Sequence, residues 1–279
     1  MLALAAVIFS FSNNTLFSLL HECVHRAFSK NKQINEFFGT LTAAFFPTGF
    51  RLQRRFHMSH HRHNRTDSEM FDMYYIEDKR WLKNLQWYSI FTGVYWMSVP
   101  LAALIYLVWP SFYGHKFFQR GHALGDQTGS DEMFLSILQE TRPFLTRIEI
   151  LYSLLFQLSL FAILNYSFIP WLICHWIFGM NWGALQYADH AWSPRDVREG
   201  AWNLKVPRLV RWIFLNYHIH HAHHVYPQIP WYHLKKFEDS KMEKSFLDIY
   251  LQMWRGPKLT TDRRPKLLTN EEVEEMGVQ

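Results

Sequence analysis

Residues 216–230 read N-Y-H-I-H-H-A-H-H-V-Y-P-Q-I-P and place five histidines within seven positions. Two further histidine clusters occur far upstream, in residues 21–25 and 57–63. Neutral imidazole is a common protein ligand for iron, copper, zinc and nickel. A chain that gathers histidines three times is therefore predicted to build one metal centre from distant parts of its sequence.

The three clusters share a spacing that aligns their rings on helices. His21 and His25 are four residues apart, and the second and third clusters repeat the spacing i, i+3, i+4. On a helix, residues three and four apart are neighbours on one face. The aligned residues are His21, His25, His57, His60, His61, His220, His223 and His224. This set is larger than the roughly four ligands that one zinc ion takes, and it is close to what two metal ions require.

His190 is a ninth candidate ligand because it follows the last long apolar segment directly. Asp189, which precedes it, and Glu22 are expected to be outer-sphere partners, since carboxylates commonly orient metal-bound imidazoles. Three acidic residues near the second cluster are expected to be solvated instead: Asp67, Glu69 and Asp72. The sequence therefore predicts nine imidazole ligands.

Several histidines fall off the repeated spacing. His63, His218 and His221 are expected to be neighbours of the metal centre rather than ligands. The register of the third cluster stays open, because His220, His221 and His224 would also share one helical face. The isolated histidines are interpreted as core or interface residues: His115, His122, His175 and His233.

Apolar residues occur in long runs that charged stretches separate, so the mean hydropathy is only −0.16 although 49% of the residues are hydrophobic. A helix needs about 20 apolar residues to span a bilayer. The apolar segments lie near residues 1–20, 85–109, 148–164 and 168–186. They predict an all-α integral membrane protein whose histidines lie in a helical cap. We expect a membrane domain over residues 1–250 and a polar C-terminal tail over residues 251–279.

Basic residues around the second cluster predict that this side of the protein faces the cytoplasm. They are Arg51, Arg54, Arg55, Arg62 and Arg65. An alternative role for them is the docking of an acidic electron carrier or of a carboxylate or phosphate headgroup. The net charge of +5 also fits anionic lipid, and nothing in the sequence indicates nucleic-acid binding.

The number of membrane crossings depends on two segments. Residues 148–180 are expected to form a helical hairpin that turns near Asn165, whereas residues 37–50 are too short to span and are expected to lie at the interface or re-enter. If the second and third clusters face the same side, the chain between them crosses an even number of times. Either residues 148–180 cross twice and residues 85–109 only dip into the membrane, or each segment crosses once. We favour the first arrangement.

The remaining features exclude simpler classes of protein. Cys23 and Cys174 both lie in or beside apolar runs, which does not indicate a disulfide framework and fits a reducing compartment. Residues 1–20 have neither a basic leader nor a small-residue cleavage site, so they do not resemble a signal peptide. The chain begins abruptly inside apolar sequence, so we expect either that a preceding helix is missing or that the start is misassigned.

These residues resemble the membrane fatty acid desaturase superfamily. Its boxes H-x(3,4)-H, H-x(2,3)-H-H and H-x(2,3)-H-H match the three clusters, and an extra histidine before the third box corresponds to His190. H-H-V-Y-P at 223–227, followed by I-P at 229–230, is similar to the bacterial members. The similarity covers about residues 15–240. Two features depart from the pattern: one apolar helix instead of two precedes the first box, and His220-His221 replace an aliphatic residue and a glutamate.

The resemblance implies a membrane-embedded diiron centre that activates O2 to remove hydrogen from an unactivated methylene group. The nine histidines would hold two Fe ions, and the apolar helices would supply a groove for an alkyl chain. It also implies an external electron donor, such as a ferredoxin-, rubredoxin- or cytochrome b5-like protein, a lipid or fatty acyl substrate, and a multi-pass location in a bacterial inner membrane with the active site facing the cytoplasm.

Several reactions remain open within the superfamily. A fatty acid desaturase, acting on an acyl lipid or acyl thioester, is the outcome we favour; hydroxylation, ketolation and oxidative decarboxylation to a terminal alkene use the same ligand set. Outside it, H-E-C-V-H at 21–25 also fits the H-E-x-x-H signature of a membrane zinc metalloprotease. That alternative explains two of the aligned histidines. A metal transporter is disfavoured, because transport sites usually lie at mid-membrane.

Overall fold

The computed structural model describes residues 1–115 and 131–276, and in these residues it confirms the predicted helical architecture. The helices are α1 (Leu2–Val24), α2 (Lys32–Ala43), α3 (Phe50–His63), α4 (Arg80–Phe91), α5 (Val94–Val108), α6 (Asp131–Glu140), α7 (Pro143–Ile163), α8 (Phe168–Ala188), α9 (Arg208–Ile213), α10 (His220–Val225), α11 (Phe246–Met253) and α12 (Asn270–Glu275). The short strands within the described residues are β1 (Met73–Tyr74), β2 (Asn203–Lys205), β3 (Glu243–Ser245) and β4 (Lys258–Leu259).

The long helices α1 and α8 pack along each other and form the centre of the apolar bundle. Aromatic rings fill the space between them and α5: the ring of Phe17 lies 5.5 Å from that of Trp182 and 6.4 Å from that of Trp96. A polar contact also joins the pair, since Asn181 Nδ2 donates to Ser10 Oγ at 2.8 Å. The close packing fixes α1, which carries the first histidine cluster at its end.

Two helices in the described residues, α1 and α7, are each long and apolar enough to cross a membrane, and a third span results if α4 and α5 count as one. The segment predicted as a hairpin over residues 148–180 forms two helices, α7 and α8, and Asn165 lies between them with φ = 48°. The two helices pack mainly against other helices, α7 against α5 and α8 against α1. Helix α8 is not among the candidate spans, although a crossing was favoured there. Polar residues such as His175, Asn181 and Gln186 lower its hydropathy.

Helices α4 and α5 meet at an angle of 90°. Gly93 stands at this break with φ = 82°, a left-handed conformation that favours glycine. A Cβ atom there would lie 2.8 Å from the Trp176 ring and 3.0 Å from the Met180 nitrogen of α8. The bend therefore depends on a close approach to α8. It agrees with a segment that dips into the membrane and equally with a broken span.

The region after α8 forms a cap around the histidines, and short parallel strands connect its parts. Strand β1 pairs with β4 and β2 pairs with β3, both in parallel. The boundary expected between residues 250 and 251 falls inside α11, which is anchored because Trp87 Nε1 donates to the Met253 carbonyl at 2.8 Å. Further along, the Lys266 carbonyl accepts from Ser68 Oγ at 2.6 Å. The polar C-terminal segment thus contributes to the cap at least as far as Lys266.

The expectation that Asp67 and Asp72 are solvated is wrong. Asp72 is buried and accepts from Arg65 Nη1 at 2.8 Å and Nη2 at 3.1 Å. Asp67 accepts from Arg195 Nη2 at 2.6 Å. Buried charges require such partners because desolvation is otherwise costly. Because Arg195 is distant in sequence, this pairing could not be read from the local pattern.

Candidate metal centre

Four parts of the chain bring the nine predicted ligands together. They are the end of α1 with His21 and His25, helix α3 with His57, His60 and His61, the turn after α8 with His190, and α10 with His220, His223 and His224. The structure divides these residues into two adjacent groups whose candidate ligand atoms each lie within 4.8 Å of one another.

The first group contains His21, His25, His57, His61 and His223. Its Nε2 atoms form a chain of short separations: 2.7 Å from His25 to His57, 3.0 Å from His57 to His61, and 3.0 Å from His61 to His223. Two imidazole nitrogens that each lie about 2.1 Å from a shared metal ion are separated by roughly 3 Å. The spacing of the first group therefore fits nitrogen ligands around a single ion.

The second group contains His60, His190, His220 and His224. His220 Nε2 lies 3.0 Å from His190 Nε2 and 3.2 Å from His224 Nε2. The ring of His60 is 4.8 Å from that of His190 and 5.1 Å from that of His224. Four imidazoles thus surround a second point.

The second and third clusters, which have the i, i+3, i+4 spacing, are each divided between the two groups. On α3, His57 and His61 belong to the first group and His60 to the second; on α10, His223 belongs to the first and His220 and His224 to the second. The rings of His61 and His224 stack at 4.3 Å with an interplanar angle of 23°, so the two groups adjoin. Each helix therefore supplies ligands to both positions.

Helix α10 has only six residues, and strand β2 holds it next to His190. The Leu204 amide donates to the His218 carbonyl at 2.8 Å, and the His221 amide donates to the Trp202 carbonyl at 3.3 Å. The Trp202 amide in turn donates to the Asp189 carbonyl at 2.6 Å. These backbone hydrogen bonds hold His190 and the third histidine cluster close together.

The histidine nitrogens of the two groups are better suited to bind a metal ion than to bind protons. Burial, followed by the charge of neighbouring imidazoles, lowers the pKa of His61, His220 and His224 well below 6.5. Neutral imidazoles with several Nε2 atoms facing one point leave lone pairs that the other rings cannot all satisfy. His21 Nε2 is also buried and has no hydrogen-bond partner in the described part of the chain. A metal cation would satisfy these nitrogens.

Acceptors outside the two groups hold several rings in place. His60 Nδ1 lies 3.2 Å from Glu69 Oε2, and His190 Nδ1 lies 2.9 Å from the Gly200 carbonyl oxygen. Such contacts fix the tautomer and orientation of a ligating imidazole. The expectation that Glu69 is solvated is therefore wrong, because the turn after α3 brings it back against His60.

The two carboxylates expected as outer-sphere partners differ in position. Asp189 is fully buried, with its oxygens 3.6 Å from His220 Nδ1 and 3.9 Å from His190 Nε2. Burial raises the pKa of its carboxyl well above the usual range. A cation bound through His220 would favour the charged carboxylate. Glu22 instead accepts from the Trp231 amide at 3.3 Å and thus joins α1 to the segment after α10.

The surplus histidines lie outside both groups. His221 Nε2 lies 2.6 Å from Glu199 Oε2, and His63 Nδ1 accepts from the Leu268 amide at 3.1 Å. His218 is buried beside a surface cavity. Of the isolated histidines, His122 lies outside the described residues. The placement favours the register that selects His223 over His221.

The sequence pattern did not single out Tyr217, Glu199 or Gly200. The Tyr217 ring stacks on His220 at 4.9 Å with an interplanar angle of 29°, and it also lies 4.9 Å from the ring of His21. Its hydroxyl donates to Gln186 Oε1 at 2.5 Å. Tyr217 could have been noticed because it directly precedes the third histidine cluster. Nothing in the local sequence marked Glu199 or Gly200.

The arginines around the second cluster are largely paired. Arg54 contacts Glu36, Arg51 contacts Glu149 and Arg55 contacts Glu140, each at 2.8 Å. Arg65 is buried against Asp72. These ion pairs connect α3 to α2, α6 and α7. Positioning of α3 therefore accounts for most of this basic cluster.

Acidification is expected to destabilise the metal-free protein. The pKa values of His57, His61 and His224 are lowered well below 6.5, first by burial and then by neighbouring imidazoles. The unfolded chain therefore binds more protons as the pH falls below about 6.5, and each extra proton lowers the unfolding free energy by about 1.4 kcal/mol per pH unit. Stability is full above that pH and is lost below it.

Thermal unfolding of metal-free and metal-loaded protein between about pH 8 and about pH 5 measures this effect. The loaded protein should hold its midpoint to lower pH, because protons must first displace the metal. A metal-free midpoint that stays constant over this range would contradict neutral, buried imidazoles.

Comparison of the sequence with known proteins identifies a family to which it is similar. Residues 1–256 match the family model described as fatty acid desaturase. The chain is 26% identical over 259 residues to the sunflower (Helianthus annuus) protein named sn-2 acyl-lipid omega-3 desaturase (ferredoxin), chloroplastic, with 87% of this chain and 55% of the relative covered. It thus spans about half the length of that relative. With the matched model covering most of the chain and two histidine groups at its centre, this chain belongs to the fatty acid desaturase family.

Proposed function

We propose that the protein is an O2-dependent membrane diiron oxidase that desaturates a fatty acyl chain. The observation that carries the proposal is the pair of adjoining groups of five and four buried or half-buried imidazoles, placed beside apolar helices. Two metal positions with nitrogen ligands are what the family chemistry requires. The name of the sunflower relative, an acyl-lipid desaturase, supports a lipid-linked acyl substrate.

Iron is the metal we propose for both positions. His21, His25, His57, His61 and His223 would hold one ion, and His60, His190, His220 and His224 the other. Imidazole suits several transition metals, so the donor set alone does not select iron; membership of the desaturase family supports it. When bound, the iron pair would supply the O2 activation that breaks an unactivated C–H bond.

The protein's own residues would align the alkyl chain and exclude water. An aromatic surface connects the metal centre to the apolar bundle: Tyr217 contacts His21 and His220, and the Phe17 ring lies 6.5 Å from Tyr217. Trp182 and Trp96 continue this surface. A methylene chain beside these rings would be held against the first histidine group, and such positioning is a large part of catalysis.

The electrons must come from outside the chain. The relative's name identifies a ferredoxin as its donor, and we propose a donor protein of the ferredoxin, rubredoxin or cytochrome b5 type here. We further propose that the histidine side faces the cytoplasm in a bacterial inner membrane. The basic residues of α3 support that orientation.

The zinc metalloprotease alternative loses its main argument in the structure. His21 and His25 share a group with three other histidines that the H-E-x-x-H signature does not explain, and Glu22 accepts a hydrogen bond from the Trp231 amide. Hydroxylation and oxidative decarboxylation use the same ligand set, and no observed contact favours either over desaturation.

Metal and product analysis together test the proposal. Purified protein is expected to contain about two irons per chain; one zinc without iron would overturn the diiron assignment. Incubation of a labelled acyl substrate with enzyme, O2 and a reductant should yield a product two hydrogens lighter by mass spectrometry. A product one oxygen heavier would instead show hydroxylation, and loss of carbon dioxide would show decarboxylation.

A further inference from the structure

A cavity of about 700 Å³ opens beside the third histidine cluster, separate from both metal-ligand groups. It lies between α9 and the segment after α10, and its lining includes His218 and Ile219, which directly precede the candidate ligand His220. The metal centre accounts for none of its polar residues.

Three cations line this cavity: Arg208, Arg211 and Lys235. In the part of the chain that the structure describes, none of them forms an ion pair with a carboxylate. Arg211 uses Nε to donate to the Val206 carbonyl at 3.1 Å, which leaves the two terminal nitrogens of its guanidinium for another acceptor. Unpaired cations that converge on one cavity create a site for an anion.

His218 adds a buried polar atom to the same wall. Its side chain is only 1% exposed, and Nδ1 has no hydrogen-bond partner among residues 1–115 and 131–276. A buried polar group without a partner costs free energy, so this wall of the cavity holds a polar side chain that the protein itself does not fully satisfy.

The rim of the cavity is apolar and adjoins a candidate membrane span. Leu209 and Trp212 are 68% and 76% exposed on α9. Helix α9 is attached to α1, since Thr15 Oγ1 donates to the Ile213 carbonyl at 2.8 Å. Exposed indole and arginine side by side are typical of a membrane interface. A ligand here therefore has both an anionic and an apolar part.

We propose that this cavity binds the oxyanion headgroup, a carboxylate or a phosphate, of the acyl substrate. The inference rests on the proposed function, because it assigns the headgroup of the chain that reaches the metal centre. Arg208, Arg211 and Lys235 contact the anionic oxygens and His218 donates or accepts one hydrogen bond. Leu209 and Trp212 contact the first methylene groups. A neutral sugar headgroup would leave all three cations unpaired, so the cavity selects against it.

Ligand binding to the full-length protein in detergent tests the assignment without relying on turnover. Dissociation constants are measured for oleate, phosphatidylglycerol, a neutral galactolipid and inorganic phosphate. The variants are Arg208→Gln, Lys235→Gln and the double variant Arg208→Gln/Lys235→Gln, and Lys236→Gln is the matched control because it is exposed and outside the lining. Both test residues are exposed, so the variants should fold.

The double variant is expected to weaken binding of the anionic lipids at least about tenfold, since two charge-assisted hydrogen bonds are lost. The single variants should be intermediate and Lys236→Gln unchanged. Whichever of oleate and phosphatidylglycerol loses more affinity identifies the headgroup. Equal binding of the galactolipid, insensitivity of both anionic lipids to the variants, or phosphate binding as tight as theirs would overturn the proposal.

The two proposals can fail separately. Lipid binding that follows the expected pattern without any desaturated product would contradict desaturation alone. Desaturated product from a protein whose lipid affinity ignores Arg208 and Lys235 would contradict the headgroup site alone.

Discussion

Replacement of His61 by alanine is expected to abolish product formation and reduce bound metal from about two ions per chain to about one or fewer. His61 Nε2 lies 3.0 Å from both His57 Nε2 and His223 Nε2, in the middle of the first group. Its ring also stacks on His224 of the second group. Loss of this ring therefore affects both positions. Activity should fall more than about 100-fold, because even outer-sphere partners of metal ligands are worth 10–100-fold.

A second variant separates the two groups. His220→Ala removes a ligand whose Nε2 lies 3.0 Å from His190 Nε2, so it should deplete the second position first. His233→Ala is the control, because His233 is exposed and belongs to neither group. Metal content by elemental analysis and product by mass spectrometry are measured on each protein. Wild-type metal content in both His61→Ala and His220→Ala would refute the proposed ligand set.

Replacement of Asp72 by asparagine is expected to lower the unfolding free energy by about 3–5 kcal/mol, the usual cost of removing one partner from a buried ion pair. The side chains of Arg65 and Asp72 are only 2% and 3% exposed. Asp72 also accepts from the Trp192 amide at 2.5 Å, so it ties the loop after α3 to the turn that follows His190. The variant leaves a buried guanidinium without its counter-charge.

Unfolding of detergent-solubilised protein by heat or denaturant measures this loss. The control is Glu243→Gln, which breaks the Lys205–Glu243 pair, whose lysine is 60% exposed. Surface pairs contribute about 1 kcal/mol or less. The apolar double variant Arg65→Met/Asp72→Leu should recover part of the stability, since neither charge then remains buried. A loss in Asp72→Asn no greater than that in Glu243→Gln would contradict the role of the buried pair.

Much of the helical architecture could be predicted from local pattern. The apolar segments near residues 1–20, 148–164 and 168–186 correspond to α1, α7 and α8, because an apolar run of about 20 residues has few alternatives to a helix. The apolar pattern of residues 85–109 did not predict the 90° bend between α4 and α5. Gly93 permits that bend, but the contact with Trp176 of α8 fixes it.

The roles of charged residues were the least predictable part of the site. Glu69 was expected to be solvated and instead contacts His60. Asp67 and Asp72 pair with Arg195 and Arg65 in the interior. The environment of a carboxylate depends on which distant segment covers it, and composition contains no information on that.

The sequence by itself indicated the helical membrane class and eight aligned histidines, because residues three and four apart on a helix share a face. Its ninth candidate, His190, came from its position after the last apolar segment. Only the tertiary structure decided how those histidines are divided, with His57, His61 and His223 on one side and His60, His220 and His224 on the other. That division requires α3 and α10 to bring their histidine rings to one place, where strand β2 and the buried pair of Arg65 and Asp72 hold the adjoining segments. Local spacing fixes the direction in which a ring points, whereas long-range packing fixes the partner it meets.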